Sequence, residues 1–344
     1  MLDPKLLRNN INDISDNLAN KNYILDKKKF LSIDSNRKNI IVTTEDLKNK
    51  KNILSKEIGI LKSKGKSADN QTKVVEKINQ SLKEMQVSLF KAEDEFSNFF
   101  LSIPNTLDDI VPIGKSEKDN VVVKYSNKNN LLNSESKKVS DHSEIGKSLK
   151  LYDQDIASNI SGSRFSLLFG PLAQLHRAIG SFMIDTHINS NGYTEVNVPL
   201  IVNSDSLLGT GQLPKFKDDL FELKNKEDFF LIPTGEVPLT NIFRNKVFSE
   251  NEIPLFYAAL STCFRSEAGS YGKDTKGLIR QHQFDKVELV NAVNPNNSDK
   301  ALESLIGHAE NILELLNLPY RRVLLCSSDT GFSSSVTYDL EVRM

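Results

Sequence analysis

The chain has 344 residues, 44 Lys and Arg against 45 Asp and Glu, a net charge of -1 and a hydrophobic fraction of 38%, so it holds a large domain plus a second module and provides no global basic signal for nucleic acid. Its N-terminus, MLDPKLLRNNINDISDN, lacks the apolar centre of a secretion signal, and no run of apolar residues is long enough to span a bilayer. Two distant cysteines, Cys263 and Cys326, have no Cys-x-x-Cys spacing, which fits a reducing setting; the expectation is a cytoplasmic protein with no membrane contact.

From about Lys27 to Leu101 the chain is free of proline and heavily charged. Ile33, Ile40, Leu47, Leu54 and Leu61 repeat every seventh residue, and Val75, Ile78, Leu82, Met85, Leu89, Ala92, Phe96 and Phe99 alternate steps of three and four. With the polar segment KSKGKSADN between them, these series predict an antiparallel coiled-coil hairpin roughly 45–60 Å long at 1.5 Å per residue. The second seam of the first helix is polar (Arg37, Thr44, Lys51). Lys48, Lys50, Lys51, Lys56, Lys62, Lys64 and Lys66 crowd that helix and the tip. They suit either a solvated face of a dimerisation coil or an arm that touches an anionic partner.

A proline-bearing connector, SIPNTLDDIVPIGKSEKDN, follows, and residues 127–150 have the composition of a surface excursion. Pro171 opens an amphipathic helix that Gly192 closes. YTEVNVPLIV predicts an edge strand because it contains Pro199, and an edge strand needs a cover such as a second subunit. FFLIPT, FYAALSTCFRSE, GLIRQHQFDKVELV and YDLEV predict further strands, with a helix over about Asp299 to Leu316. The expected fold class is α+β: the helical arm, then a mostly antiparallel sheet flanked by helices. The expected domains are 1–103 (arm), 104–150 (connector and excursion) and 151–344. No glycine-rich nucleotide loop of the Rossmann or P-loop kind is present.

The segment FRSEAGSYGKDTKGLIRQHQF, residues 264–284, carries the chemistry. If its two ends are paired strands, Arg265 and Glu267 share one face, and Arg280, Phe284 and Glu288 share one face of the partner strand. Guanidinium groups match phosphate oxygens, an aromatic ring stacks on a base, and carboxylates accept from an amine or hydroxyl. The same residues also suit an exposed hairpin with ordinary cross-strand ion pairs. The five histidines show no metal-ligand spacing, and no metal-binding residue is expected. His282 suits a packing role better than that of a base. Asp108/Asp109 and Asp218/Asp219 suit loop charges, and the serine-rich SSDTGFSSS has no nucleophile elbow.

FRSEAGSYGKDTKGLIRQHQFDKVEL resembles motif 2 of bacterial-type seryl-tRNA synthetases, and GYTEVNVPLIVN resembles their motif 1, the dimer interface of that family. GTGQLPKF, LIPTGEVPLTN and DTGFSSSVTYDLEV resemble other parts of its catalytic domain, so the resemblance runs from near Met1 to about Val342. It implies a class II synthetase sheet behind a tRNA-binding arm, and a homodimer that joins L-serine to tRNA(Ser) with ATP and Mg²⁺. By this resemblance Arg265 bridges the serine carboxylate and the ATP α-phosphate, and Ser266 and Glu267 contact the adenine end. Arg280 holds the distal phosphates and Phe284 stacks on adenine. Thr234, Gly235 and Glu236 take the serine ammonium, and Glu288 helps to distinguish the serine side chain. The family's pattern continues with a Glu-Ile-Ser-Ser stretch and motif 3, which this sequence lacks. The expectation is thus a chain truncated before motif 3. The alternative is a truncated or degenerate relative that binds tRNA or dimerises without aminoacylation; a coiled-coil scaffold without tRNA leaves motif 2 unexplained.

Overall fold

The computed structural model of the protein describes residues 2–126, 140–224, 227–269 and 277–342. The chain divides into two compact units, Met1–Lys115 with Ser327–Ser335, and Ser116–Cys326 with Val336–Met344.

In the first unit, two short helices, α1 (Pro4–Asn9) and α2 (Ile11–Asn20), precede the long α3 (Lys27–Ser63) and α4 (Asp69–Leu101). Asp26 caps α3 by accepting from the Lys29 amide, and Gly65, at φ +66°, turns the chain between α3 and α4. The thirty-seven residues of α3 span about 55 Å at 1.5 Å per residue. The heptad reading holds at the base of the hairpin: Phe30 stacks on Phe99, and Arg37 reaches Glu93 at 3.4 Å and lies over the Phe96 ring at 5.1 Å. The helices are therefore antiparallel, and the polar seam faces α4, where Thr44 is buried and returns its hydroxyl to the Ile40 carbonyl. Only the base of the hairpin has a true core, formed by Leu7, Leu18, Phe30, Ile33, Phe99, Phe100 and Ile103.

The second unit begins with β1 (Val121–Tyr125), α5 (His142–Ser148), β2 (Tyr152–Asp153), α6 (Gln154–Ser161) and β3 (Leu167–Leu168). Then come α7 (Gly170–Asn191), β4 (Thr194–Glu195), β5 (Ile201–Asn203), α8 (Ser204–Gly209), β6 (Phe229–Leu231) and α9 (Glu236–Asn241). The last elements are β7 (Leu255–Phe264), β8 (Gln283–Ala292), α10 (Ser298–Leu315), β9 (Tyr320–Leu324) and β10 (Tyr338–Val342). The residues from 127 to 139, within the expected excursion, lie outside the described part, and the excursion's C-terminal portion is helical. The connector ends in a strand, β1, which pairs with β9, and β9 also pairs with β10.

β4, β7 and β8 form the sheet that carries the site, with β4 parallel to β7 and β7 antiparallel to β8 over ten residue pairs. Alternation gives this sheet two distinct faces. Phe256, Ala258, Val287 and Leu289 pack with Ile184 and Ile188 of α7. Tyr257, Ala259 and Val290 pack with Leu239 and Ile242 on and beside α9. Gly192 ends α7 at φ +72°, with its amide donating to the His187 carbonyl. YTEVNVPLIV is two strands rather than one: it breaks between β4 and β5, where Pro199 has no amide to contribute to a ladder. β4 is nevertheless an edge strand.

An ion pair secures the core of the first unit. Asp34, with its side chain 7% exposed, accepts from Arg8 Nη2 at 2.7 Å and Nε at 3.0 Å, and lies 2.7 Å from Lys38 Nζ. Burial pushes the Asp34 carboxyl up, but the Arg8 and Lys38 hydrogen bonds outweigh it and hold it below its ordinary value. Its contribution is thus complete above the ordinary carboxylate range and is lost as pH falls through the lowered value. Asp34→Ala is expected to destabilise the first unit by about 3 kcal/mol at neutral pH. In urea denaturation that difference should shrink steadily as the pH is taken through the acid range.

Candidate active site

The inner face of the β7–β8 pair changes character along its length. At the α9 end it is apolar; towards the other end the opposed pairs become Ala259–Glu288, Ser261–Lys286 and Cys263–Phe284. The regular strands then stop. β7 ends at Phe264 and β8 starts at Gln283, so Arg265, Glu267 and Arg280 lie beyond the ladder. The expectation that strand alternation puts Arg265 and Glu267 on one face is corrected: Glu267 has φ +52°, which breaks the extended backbone. The two segments are joined instead by one backbone bond, Arg265 N to His282 O at 3.0 Å, and by His282 Nδ1 lying 2.9 Å from the Arg265 carbonyl. His282 packs between Phe165 and Phe221, as a neighbour rather than a base. Residues 270–276, which include most of the glycine-bearing loop, lie outside the described part.

The expected residues nevertheless come together. Arg265 donates from Nε to the Pro233 carbonyl at 3.1 Å, and its guanidinium lies 5.2 Å from the centre of the Phe284 ring. Arg280 Nη1 donates to Glu267 Oε2 at 3.1 Å. Two adjoining clefts share Arg265 and Glu267 as lining residues. One, of about 580 Å³, is bounded also by Arg280 and Phe284; the other, of about 430 Å³, is bounded by Thr234, Glu236 and Lys286. Ser266 stands at the junction, held by its hydroxyl on the Asp218 carbonyl and by its amide on the Asp219 carbonyl at 2.9 Å.

The floor of the second cleft is closely fitted. Thr234 is buried, and its hydroxyl donates to Glu288 Oε2 at 2.6 Å. Gly235 sits where a Cβ would come within 3.1 Å of both Glu288 Cβ and Ser261 Oγ, so any larger residue would have to push these side chains aside for the segment to lie so near the sheet. Glu236 opens α9 and is exposed at the cleft mouth, while protein surrounds it on its other sides. That surrounding burial pushes its carboxyl up, the charge of Glu288 adds to the push, and Lys286 and Arg265 oppose it. Among the described residues, no group of three or more His, Cys, Asp or Glu is arranged to hold a metal ion.

Four participants had escaped the sequence reading. Lys286 alternates with Phe284 and Glu288 on β8, so the two-residue period that placed those two also placed it. Asp218 and Asp219 are not merely loop charges: besides their carbonyl contacts, the Asp219 carboxylate accepts from the Ala268 amide at 3.0 Å. Arg164 Nη1 donates to the Glu267 carbonyl at 3.3 Å. Nothing in the local sequence marks these last three, because their partners lie far away along the chain.

Residues 1–107 match the family described as the seryl-tRNA synthetase N-terminal domain, and residues 220–344 match the tRNA synthetase class II core domain (G, H, P, S and T). The serine–tRNA ligase of Cellvibrio japonicus is 49% identical over 342 residues, which cover 99% of this chain and 79% of that one. That of Wigglesworthia glossinidia brevipalpis is 48% identical over 349 residues, covering 100% and 81%. The crystal structure of seryl-tRNA synthetase from Pyrococcus horikoshii complexed with ATP superimposes with a TM-score of 0.86 at 29% identity, covering 99% of this chain and 80% of that one. The cytoplasmic serine–tRNA ligase of Naegleria fowleri, solved in complex with AMP, shares the fold at 23% identity and a TM-score of 0.80, over 99% of this chain and 81% of that one. Two domain matches in chain order and near-half identity along almost the whole sequence agree with the paired clefts: the chain belongs to the seryl-tRNA synthetase family of aminoacyl-tRNA ligases.

Proposed function

We propose that this chain activates L-serine with ATP and transfers it to tRNA(Ser), and that the residues joining the two clefts carry the first step. The observation behind this reading is the shared wall. Arg265 borders a cleft with phosphate- and base-matching groups on one side and a cleft with ammonium- and hydroxyl-matching groups on the other. In this reading adenine stacks on Phe284, Ser266 and Glu267 contact its edge, and Arg280 takes the distal phosphates. Serine lies in the second cleft, its ammonium at the Thr234–Gly235–Glu236 segment and its hydroxyl at Glu288.

The serine carboxylate then attacks the α-phosphorus. A carboxylate oxygen–phosphorus bond forms, the bond to the pyrophosphate oxygen breaks, and pyrophosphate leaves with its electron pair. No proton moves, so no general base is required. Arg265 supplies alignment and charge, holding nucleophile and phosphate together while its Nε anchors on Pro233. Mg²⁺ would arrive with ATP as a counter-ion of its phosphates. In the second step a hydroxyl of the terminal tRNA ribose attacks the seryl carbonyl: an ester bond forms, the bond from the carbonyl carbon to the phosphate oxygen breaks, and AMP leaves with that electron pair, its phosphate taking the hydroxyl proton.

α3 and α4, with their lysines near the tip, form the tRNA-binding arm, residues 1–103; residues 104–150 connect it to the catalytic domain, 151–344. Edge strand β4 and the exposed apolar residues Phe169 and Leu175 of the α7 region support a homodimer. Two free cysteines and the lack, among described residues, of a helix able to cross a membrane support a cytoplasmic setting.

Arg265→Ala is expected to lower serine-dependent exchange of pyrophosphate into ATP by about 10³-fold, the scale of losing a charge-stabilising group. Exchange at the parent rate would remove Arg265 from the reaction. Excising residues 48–82, a symmetric section of the hairpin, should weaken tRNA(Ser) binding and flatten its dependence on log[salt], with serine and ATP affinities unchanged. Unaltered tRNA affinity would return the lysines to a solvated face.

A further inference from the structure

Lys286 enters neither the resemblance nor the mechanism above, yet it completes a closed ring at the floor of the amino-acid cleft. Its ammonium donates to Thr234 Oγ1 at 3.0 Å and lies 2.7 Å from Glu288 Oε2, while Thr234 donates to that same oxygen at 2.6 Å. A hydroxyl has one proton to give and two lone pairs to receive. The Thr234 proton is committed to Glu288, and its lone pairs accept from Lys286 Nζ and from the Glu236 amide at 3.2 Å. Thr234 therefore has no capacity left. Of the Glu288 oxygens, Oε2 takes two donors, and Oε1 has no partner among the described residues.

We propose that Lys286 is the positioning residue of this cleft, and that by locking Thr234 and Glu288 Oε2 it leaves Glu288 Oε1 as the acceptor for the ligand's side chain and so selects an amino acid whose side chain donates a hydrogen bond. The proposal rests on the serine-activation reading and deepens it. With the ring closed, the unspent acceptors are Glu288 Oε1 and the Glu236 carboxylate, which suit one hydroxyl and one ammonium, while Arg265 at the cleft wall is left to the ligand's carboxylate. An analogue without the hydroxyl would strand a desolvated acceptor. Without Lys286 the Thr234 hydroxyl can rotate its proton towards the ligand, and Glu288 loses the cation that fixes its rotamer.

The groups facing this ring come from several elements. Glu236 opens α9, Cys263 lies on β7, Arg265 and Glu267 follow β7, and Asp219 borders the same cavity. Burial already pushes Glu236 up, with Lys286 and Arg265 opposing, so removing Lys286 should raise it further. Serine binding through ionised Glu236 is lost as pH falls through that raised value, and in a variant without the cation the loss must begin at a higher pH.

Calorimetric titration of the full chain with L-serine, L-alanine and ATP tests the proposal. For Lys286→Met we expect serine affinity to drop by at least about tenfold and the serine-to-alanine ratio to collapse towards one, the scale of losing a built hydrogen-bond site. ATP affinity should hold, and the acid loss of serine binding should move to higher pH. Lys286→Arg, which keeps the charge without the single-point geometry, should recover part of the ratio. An unchanged serine-to-alanine ratio in a variant that still binds ATP overturns the proposal and leaves the activation reading standing. Parent protein that binds neither serine nor ATP overturns the activation reading and this proposal with it. If Lys286→Met loses ATP as well, Lys286→Gln decides: loss of both ligands there makes the lysine a general structural residue and contradicts the proposal.

Discussion

The ten-pair antiparallel register of β7 on β8 is the constraint from which the site follows. It sets Phe284 opposite Cys263, Lys286 opposite Ser261 and Glu288 opposite Ala259, all on the face that α9 covers at its apolar end. A one-residue slip would turn Phe284, Lys286 and Glu288 towards α7 and present Asp285 and Val287 instead. The register is secured from both sides: Phe256, Ala258, Val287 and Leu289 pack under α7, and Tyr257, Ala259 and Val290 pack under α9. Hydrophobic packing thus specifies which polar residues share a surface, although it contributes nothing to their chemistry.

Beyond the last ladder pair, the construction changes from packing to hydrogen bonds. Arg265 is tied to Pro233, Ser266 to Asp218 and Asp219, Ala268 to the Asp219 carboxylate, and Glu267 to Arg164 and Arg280. This is a segment at positive φ braced by carbonyls from elsewhere, which is a means of aiming side chains that a regular strand cannot aim. The electrostatics follow the same division. Burial and the nearby charge of Glu288 push the Glu236 carboxyl up, and Lys286 and Arg265 are the cations that oppose the push. An acidic floor with cations at its edge is the complement of an amino acid's ammonium and carboxylate.

The helical hairpin was legible in the sequence because two heptad series flank one short polar turn: the series ending at Phe99 and the one beginning at Ile33 predict an antiparallel seam, and α3 and α4 have it. The site was legible in parts. Phe284 and Glu288 follow from strand period, while Arg265, Glu267 and Arg280 were anticipated with the wrong geometry, since no local signal says where a ladder stops and a positive φ begins. β1 was missed because VVVKY is too short to separate from a connector, and β9 supplies its reason to be a strand only in three dimensions. Asp219 and Arg164 act largely through backbone partners far away in sequence, which composition and periodicity do not record.

A structure of the chain with a non-hydrolysable sulfamoyl analogue of seryl-adenylate tests the central claim most directly, that one arginine joins a nucleotide cleft to an amino-acid cleft. The account predicts adenine on the Phe284 ring, the sulfamoyl group against Arg265, the seryl ammonium at Glu236 and the seryl hydroxyl within hydrogen-bond distance of Glu288. An analogue bound with its adenine away from Phe284, or with its sulfamoyl group out of reach of Arg265, would contradict it.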